Sequence, residues 1–250
     1  MRGTVRIALA GFLTTTCAAF ASDVAPGQTT GWQEVATFPD WSGIWVNDAH
    51  TPQISNPKEI IPLTPPYAKK MAASRAVVGG DHPAYAYHCM PRGVPALMES
   101  AFRAYEFLFT PGLLTITPQN NEVRFVYMDG RRHTPEVKPS YNGHSIGHWE
   151  GATLIVDTVS VKRGSELFYG FTSAGDRHVV ERFHREGEKL INDKTLEDSA
   201  ALSQPYSYRF TATRNTTPIR EEICLQNNRD LDPVTGKQYF NLTPPPELKM

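Results

Sequence analysis

Residues 104–117 read A-Y-E-F-L-F-T-P-G-L-L-T-I-T. Tyr105, Phe107 and Phe109 fall on one side of an extended chain and Glu106, Leu108 and Thr110 on the other, because successive side chains of a strand point to opposite faces. Pro111-Gly112 is a turn pair, so the stretch reads as a β-hairpin. The same period continues outward. In residues 123–128, Val123, Phe125 and Tyr127 alternate with Arg124, Val126 and Met128, and the run stops at Asp129-Gly130. Similar runs occupy 153–161, 177–185, 189–196, 206–214 and 219–225, some divided by short turns such as Glu186-Gly187-Glu188. This spacing predicts a mainly β fold, an antiparallel lipocalin-like barrel of about eight strands. Closure removes the exposed strand edges that a sandwich keeps.

Upstream the period changes. Thr64 is placed to cap a helix over 63–78 that Gly79-Gly80 ends, and a second short helix fits 94–101. Residues 22–57 read as a loop-like arm anchored by Trp41 and Trp45, whose large flat surfaces suit burial against the barrel. The expected organisation is a signal peptide over 1–21, an N-terminal arm with short helices over 22–103, the barrel over 104–231 and a Pro-rich tail over 232–250.

The signal rests on Arg2 and Arg6, an apolar run over 7–16 and Ala19-Phe20-Ala21 as cleavage site, and it predicts a periplasmic or secreted protein. No later stretch has the about 20 apolar residues of a membrane helix. A net charge of -1 and a pI near 6.7 give no electrostatic footprint for nucleic acid and favour a small-molecule ligand. Removing the signal leaves Cys89 and Cys224, which an oxidising compartment would pair as a disulfide.

Chemistry-bearing residues concentrate around 139–161, P-S-Y-N-G-H-S-I-G-H-W-E-G-A-T-L-I-V-D-T-V-S-V. This stretch reads as a glycine-punctuated loop with His144, His148 and Glu150, passing into an apolar strand. Gly143-His144-Ser145-Ile146-Gly147 matches the G-x-S-x-G elbow of serine hydrolases, but that elbow needs a strand before the serine and a helix after it. Here a loop precedes and a strand follows. Glu181, Asp157, Glu221 and Glu106 stand between apolar neighbours on their own strand faces. A carboxylate turned into a barrel interior is either paired, with Arg124, Arg131 or Arg209 within reach of the pattern, or raised in pKa for acid–base work. Arg131 and His133, just past a turn, fit a barrel mouth. Tyr206, Tyr208 and Phe210 form an aromatic wall.

At these residues the chain resembles an uncharacterised family of exported bacterial β-rich proteins with a P-S-x-N-G-H-S-I-G-x-W-E-G-x-T-L-x-V-D-T signature. The resemblance extends to Cys89-Met90-Pro91-Arg92-Gly93-Val94-Pro95, to the phrase 127–133, to His178-Val179-Val180-Glu181-Arg182 and to Cys224-Leu225-Gln226-Asn227-Asn228-Arg229. It implies a shared fold and an exported location. Ala152 replaces the aspartate common at its position in such relatives.

From the residues themselves we expect an exported small-molecule-binding barrel that runs acid–base chemistry without a cofactor, as a lyase, isomerase or hydrolase on a small apolar or aromatic substrate. His144 would be the base or acid, with Glu181 or Glu150 sharing its proton. Arg131, His133, Tyr127, His178 and Tyr208 would contact the substrate. Two alternatives stand: a non-catalytic carrier of a hydrophobic ligand, and a metal enzyme using His144 and His148.

Overall fold

The computed structural model describes residues 31–48, 60–78, 91–99, 103–119, 122–168, 171–216, 218–219, 230–231, 234–235 and 238–239. Nine strands form a closed barrel. In chain order they are β1 (Ile44–Asn47), β2 (Ala104–Thr110), β3 (Leu113–Pro118), β4 (Arg124–Tyr127), β5 (His144–Glu150), β6 (Thr153–Val159), β9 (Arg177–Glu186), β10 (Lys189–Asp198) and β11 (Tyr206–Asn215). A two-stranded excursion, β7 (Glu166–Phe168) and β8 (Phe171–Thr172), lies between β6 and β9. Neighbours around the ring follow the chain from β2 to β11, and β1 closes it by pairing with both β11 and β2. The mainly β barrel with its N-terminal arm is as the sequence pattern predicts, with the strand count slightly higher.

Two differences have physical reasons. The aromatic knot that reads as part of the arm supplies β1, because Trp45 and Asn47 turn inward and leave the backbone of Ile44–Asn47 free to pair on both sides. A ring of nine strands cannot alternate direction throughout, so at least one adjacent pair must run parallel. That pair is β4 and β5. A parallel neighbour cannot be reached by a tight turn, so residues 128–143 make a long return outside the barrel. Residues 144–150, read from sequence as a loop, are a strand of this pair. Gly147 permits it: a Cβ there would lie 2.7 Å from Met128 Sδ and 2.8 Å from Val126 Cγ1. The strand expected over 219–225 lies almost wholly outside the described residues, as do Cys89, Cys224 and Glu221.

The interior is layered, and the layers can be followed along single strands. On β9, Phe183, Glu181 and Val179 point inward in turn; on β10, Leu190, Asn192, Lys194 and Leu196 do so. Phe183 and Leu190 join Trp41, Trp45, Phe107 and Leu154 in one apolar cluster. Val179 and Leu196 join Tyr206, Leu167, Leu202 and helix α2 (Pro65–Val78), through Tyr67 and Met71, in a second. A charged belt runs between them. Glu181 accepts from Arg124 Nη2 at 2.5 Å and Asn192 Nδ2 at 3.0 Å, with Lys194 Nζ 3.4 Å away. Lys194 also reaches Glu99 at 3.1 Å, which accepts from Tyr208 at 2.6 Å. Burial by itself would raise the Glu181 carboxyl, but the charges of Arg124 and Lys194 with the hydrogen bonds from Arg124 and Asn192 outweigh it and hold it down at about 2. Arg124 donates further to the hydroxyls of Ser145 and Thr158, at 3.3 and 3.0 Å.

Helix α2 begins where the sequence predicts, but Thr64 uses its hydroxyl to bond Ala200 O at 2.7 Å, tying the helix to the end of β10. The second expected helix is a single 3-10 turn, Ala96–Met98, and a short helix α1 (Gly31–Val35) precedes β1.

Candidate active site on the outer barrel wall

Strand alternation sends His144, Asp157 and His178 outward while Ser145, Thr158 and Val179 point in. Register then sets their spacing across the sheet. His144 stands opposite Val159, Asp157 opposite Val180, and His178 opposite Glu197. The return segment over 128–143 crosses this wall and lowers His133 between His144 and Asp157. His133 Nδ1 lies 2.7 Å from His144 Nδ1, and its Nε2 lies 3.0 Å from Asp157 Oδ1. Asp157 also meets His178 Nε2 at 3.1 Å, and His178 Nδ1 lies 3.4 Å from Glu197. Five ionisable groups from β10, β9, β6, the return segment and β5 thus form one continuous line.

Protonation within the line follows from donor and acceptor capacity. Hydrogen bonds from His178 lead the effects that lower the Asp157 pKa, so Asp157 is a carboxylate and only accepts. His133 must then donate from Nε2, which leaves its Nδ1 as acceptor when the ring is neutral. Two lone pairs cannot face each other at 2.7 Å, so His144 donates from Nδ1 and keeps a free lone pair on Nε2. Burial, followed by the charges of His133 and Arg131, lowers the His144 pKa and keeps that ring neutral near pH 7. A hydrogen bond to Asp157 is the largest of the effects that raise the His178 pKa. The outer wall therefore holds a neutral imidazole oriented through a second imidazole by a carboxylate, next to a histidine that favours its cationic form.

Tyr127 packs at a tilt against His144, ring centroids 5.3 Å apart, and the Arg131 guanidinium lies over the Tyr127 ring, 3.8 Å from its centroid. Arg131 is committed to Asp129 through two parallel hydrogen bonds, 2.8 and 2.5 Å, so its fork is occupied. Beyond His178 the surface opens into a cleft of about 1110 Å³. Its walls include Pro135, Val137 and Pro139 from the return segment and Val159, Ser160 and Val161 from the end of β6. Ser160 is the one non-glycine with positive φ among the described residues, at 56°. Left-handed backbone at a residue with a Cβ is a local strain that gathers at ligand sites.

Of the residues singled out from sequence, His144, His133, Tyr127, Arg131 and His178 come together on this wall. Glu181 and Tyr208 do not: fully buried Glu181 and half-buried Tyr208 both belong to the interior charged belt, across the thickness of the sheet from His144. Glu150 lies further along β5, bonded to Arg182 at 2.9 Å and to His148 at 3.4 Å. His148 shares the outward face with His144 but turns to Glu150, and no group of three His, Cys, Asp or Glu suited to a metal occurs among the described residues. Ser145 is buried against Thr158 at 2.8 Å, which removes it as an elbow nucleophile. Sequence pattern recognised Asp157 as an unusual strand carboxylate but placed it facing the interior. Residues 153–159, T-L-I-V-D-T-V, are apolar on both faces, and that was the signal that something covers the outside. No family model, curated protein or solved structure matches the chain.

Proposed function

We propose that this is an exported acid–base enzyme, a lyase, isomerase or hydrolase, acting on a small and largely apolar or aromatic molecule bound in the cleft. His144 Nε2 takes or returns the proton. His133 and Asp157 fix its tautomer and share the positive charge that forms, as the third member of a hydrolase triad does. The observation that carries this reading is the 2.7 Å contact between the two Nδ1 atoms, backed by Asp157 on the far nitrogen of His133. The signal pattern at the N-terminus supports export.

The carrier reading has less behind it, since the barrel centre where a hydrophobic ligand would sit holds Arg124, Glu181 and Lys194 between two apolar clusters. Turnover of a panel of activated esters, β-hydroxy acids and enolisable ketones tests the proposal. Replacing His144 by Ala is expected to reduce kcat by about 10²- to 10⁴-fold, the range of a lost general base. Equal turnover in H144A removes His144 from the mechanism. Wild-type rate should rise with pH through a midpoint below 6.5, because the base works only when neutral and its pKa is lowered.

A further inference from the structure

The cleft carries more information than its proximity to the histidines. Three of the four cationic groups lining it are matched: Arg163 forms two hydrogen bonds with Asp176, at 2.9 and 2.7 Å; Arg177 is buried against Asp198; and His178 lies between Asp157 and Glu197. Lys162 is different. It is half-buried, and its ammonium sits 5.0 Å from the centroid of the Tyr141 ring with no carboxylate partner among the described residues. Its backbone N–H is fixed to Ser140 O at 2.7 Å, so the stem leaves from a defined point beside the strained Ser160. Apolar side chains make up part of the surrounding walls: Val137, Pro139, Val159, Val161, Leu202 and Pro205.

We propose that the cleft binds a small organic acid whose carboxylate pairs with Lys162 and whose apolar body lies along the Val and Pro walls. An ammonium on an aromatic face, carried by a residue that lines a partly enclosed cleft, still lacks an anion, and a ligand carboxylate supplies it. The other acids of the cleft are held by their own partners. Glu197 on β10 is tied to His178. Val159 lines the cleft and lies directly opposite His144 in register, so the apolar wall of the cleft adjoins the strand position of the base. The ligand class thereby deepens the proposed acid–base function and rests on it for what happens after binding.

Calorimetric titration with phenylacetate, benzoate and hexanoate, each paired with its neutral amide, tests the ligand class without requiring turnover. In the full-length protein at least one acid should bind about tenfold more tightly than its amide, the scale of a charge-assisted hydrogen bond. That preference should shrink with added salt, vanish in K162M and return in part in K162R. Amides that bind as well as the acids, no binding of any acid at millimolar concentration, or a K162M protein with unchanged preference would each overturn the proposal. K162R and the acid-to-amide ratio of the unaltered protein keep the test decisive if K162M fails to fold. H144A separates the two ideas: acid preference retained without turnover supports both, whereas acid preference retained with full turnover removes only the base.

Discussion

His178 shows how much one residue depends on its neighbours. Its two ring nitrogens face two carboxylates, and both N–H groups are satisfied only when the ring is charged. Its folded pKa therefore lies above the ordinary 6.5, and that of Asp157 below the ordinary 3.8. The signs fix a pH window. The histidine contributes stability that is complete below pH 6.5 and fades as pH rises through its folded value. The aspartate contributes stability that is complete above its unfolded value and fades as pH falls through its lowered one. Their joint contribution is thus greatest between pH 3.8 and 6.5. Proton NMR titration of the His178 ring should give a midpoint above 6.5 that moves down in D157N; an unmoved midpoint would show that Asp157 does not hold it. Both partners are partly exposed, so the effect on global stability is small.

At the scale of elements, the site depends on the parallel pairing of β4 and β5 and the return segment it requires. Gly147 is the residue on which that pairing turns. G147V should lower stability by about 1–3 kcal/mol, the cost of overpacking, as Met128 and Val126 are displaced. Urea denaturation measures the loss, and an unchanged midpoint would mean that β4 has room to spare. The hairpin over 104–117 and most later strands were legible because alternation and turn pairs are local properties. β5 was not, because its glycines look like loop residues until the partner strand that needs them is known. The site was half legible for a related reason. Residue type drew notice to His144, His133 and His178, but which face of a strand meets the core is a property of the closed barrel, so Asp157 stands on the outer wall instead of inside, and Glu181, interior as its pattern suggests, is cut off from His144 by the sheet.

For the whole molecule, the charged belt that divides the two apolar clusters is the feature with the largest energetic stake. Breaking a buried ion pair by removing one member costs about 3–5 kcal/mol, because the other charge stays desolvated. E181Q leaves Arg124 inside the barrel without its carboxylate, and a loss of that size should appear in its denaturation midpoint. A milder loss would mean that Ser145, Thr158 and water satisfy Arg124 without help. Glu181, held at about 2, also contributes its stability fully above its ordinary 4.5 and yields it only as pH falls toward 2.

The four residues of β1 have a consequence for how the chain comes together. They are made early, yet one of their two hydrogen-bonding neighbours, β11, is among the last barrel strands to emerge from the ribosome. Until then β1 and the growing sheet behind it present an uncovered flank, and Trp45 has no completed hollow to enter. A nascent chain of this design must be shielded, or kept extended, for most of its synthesis.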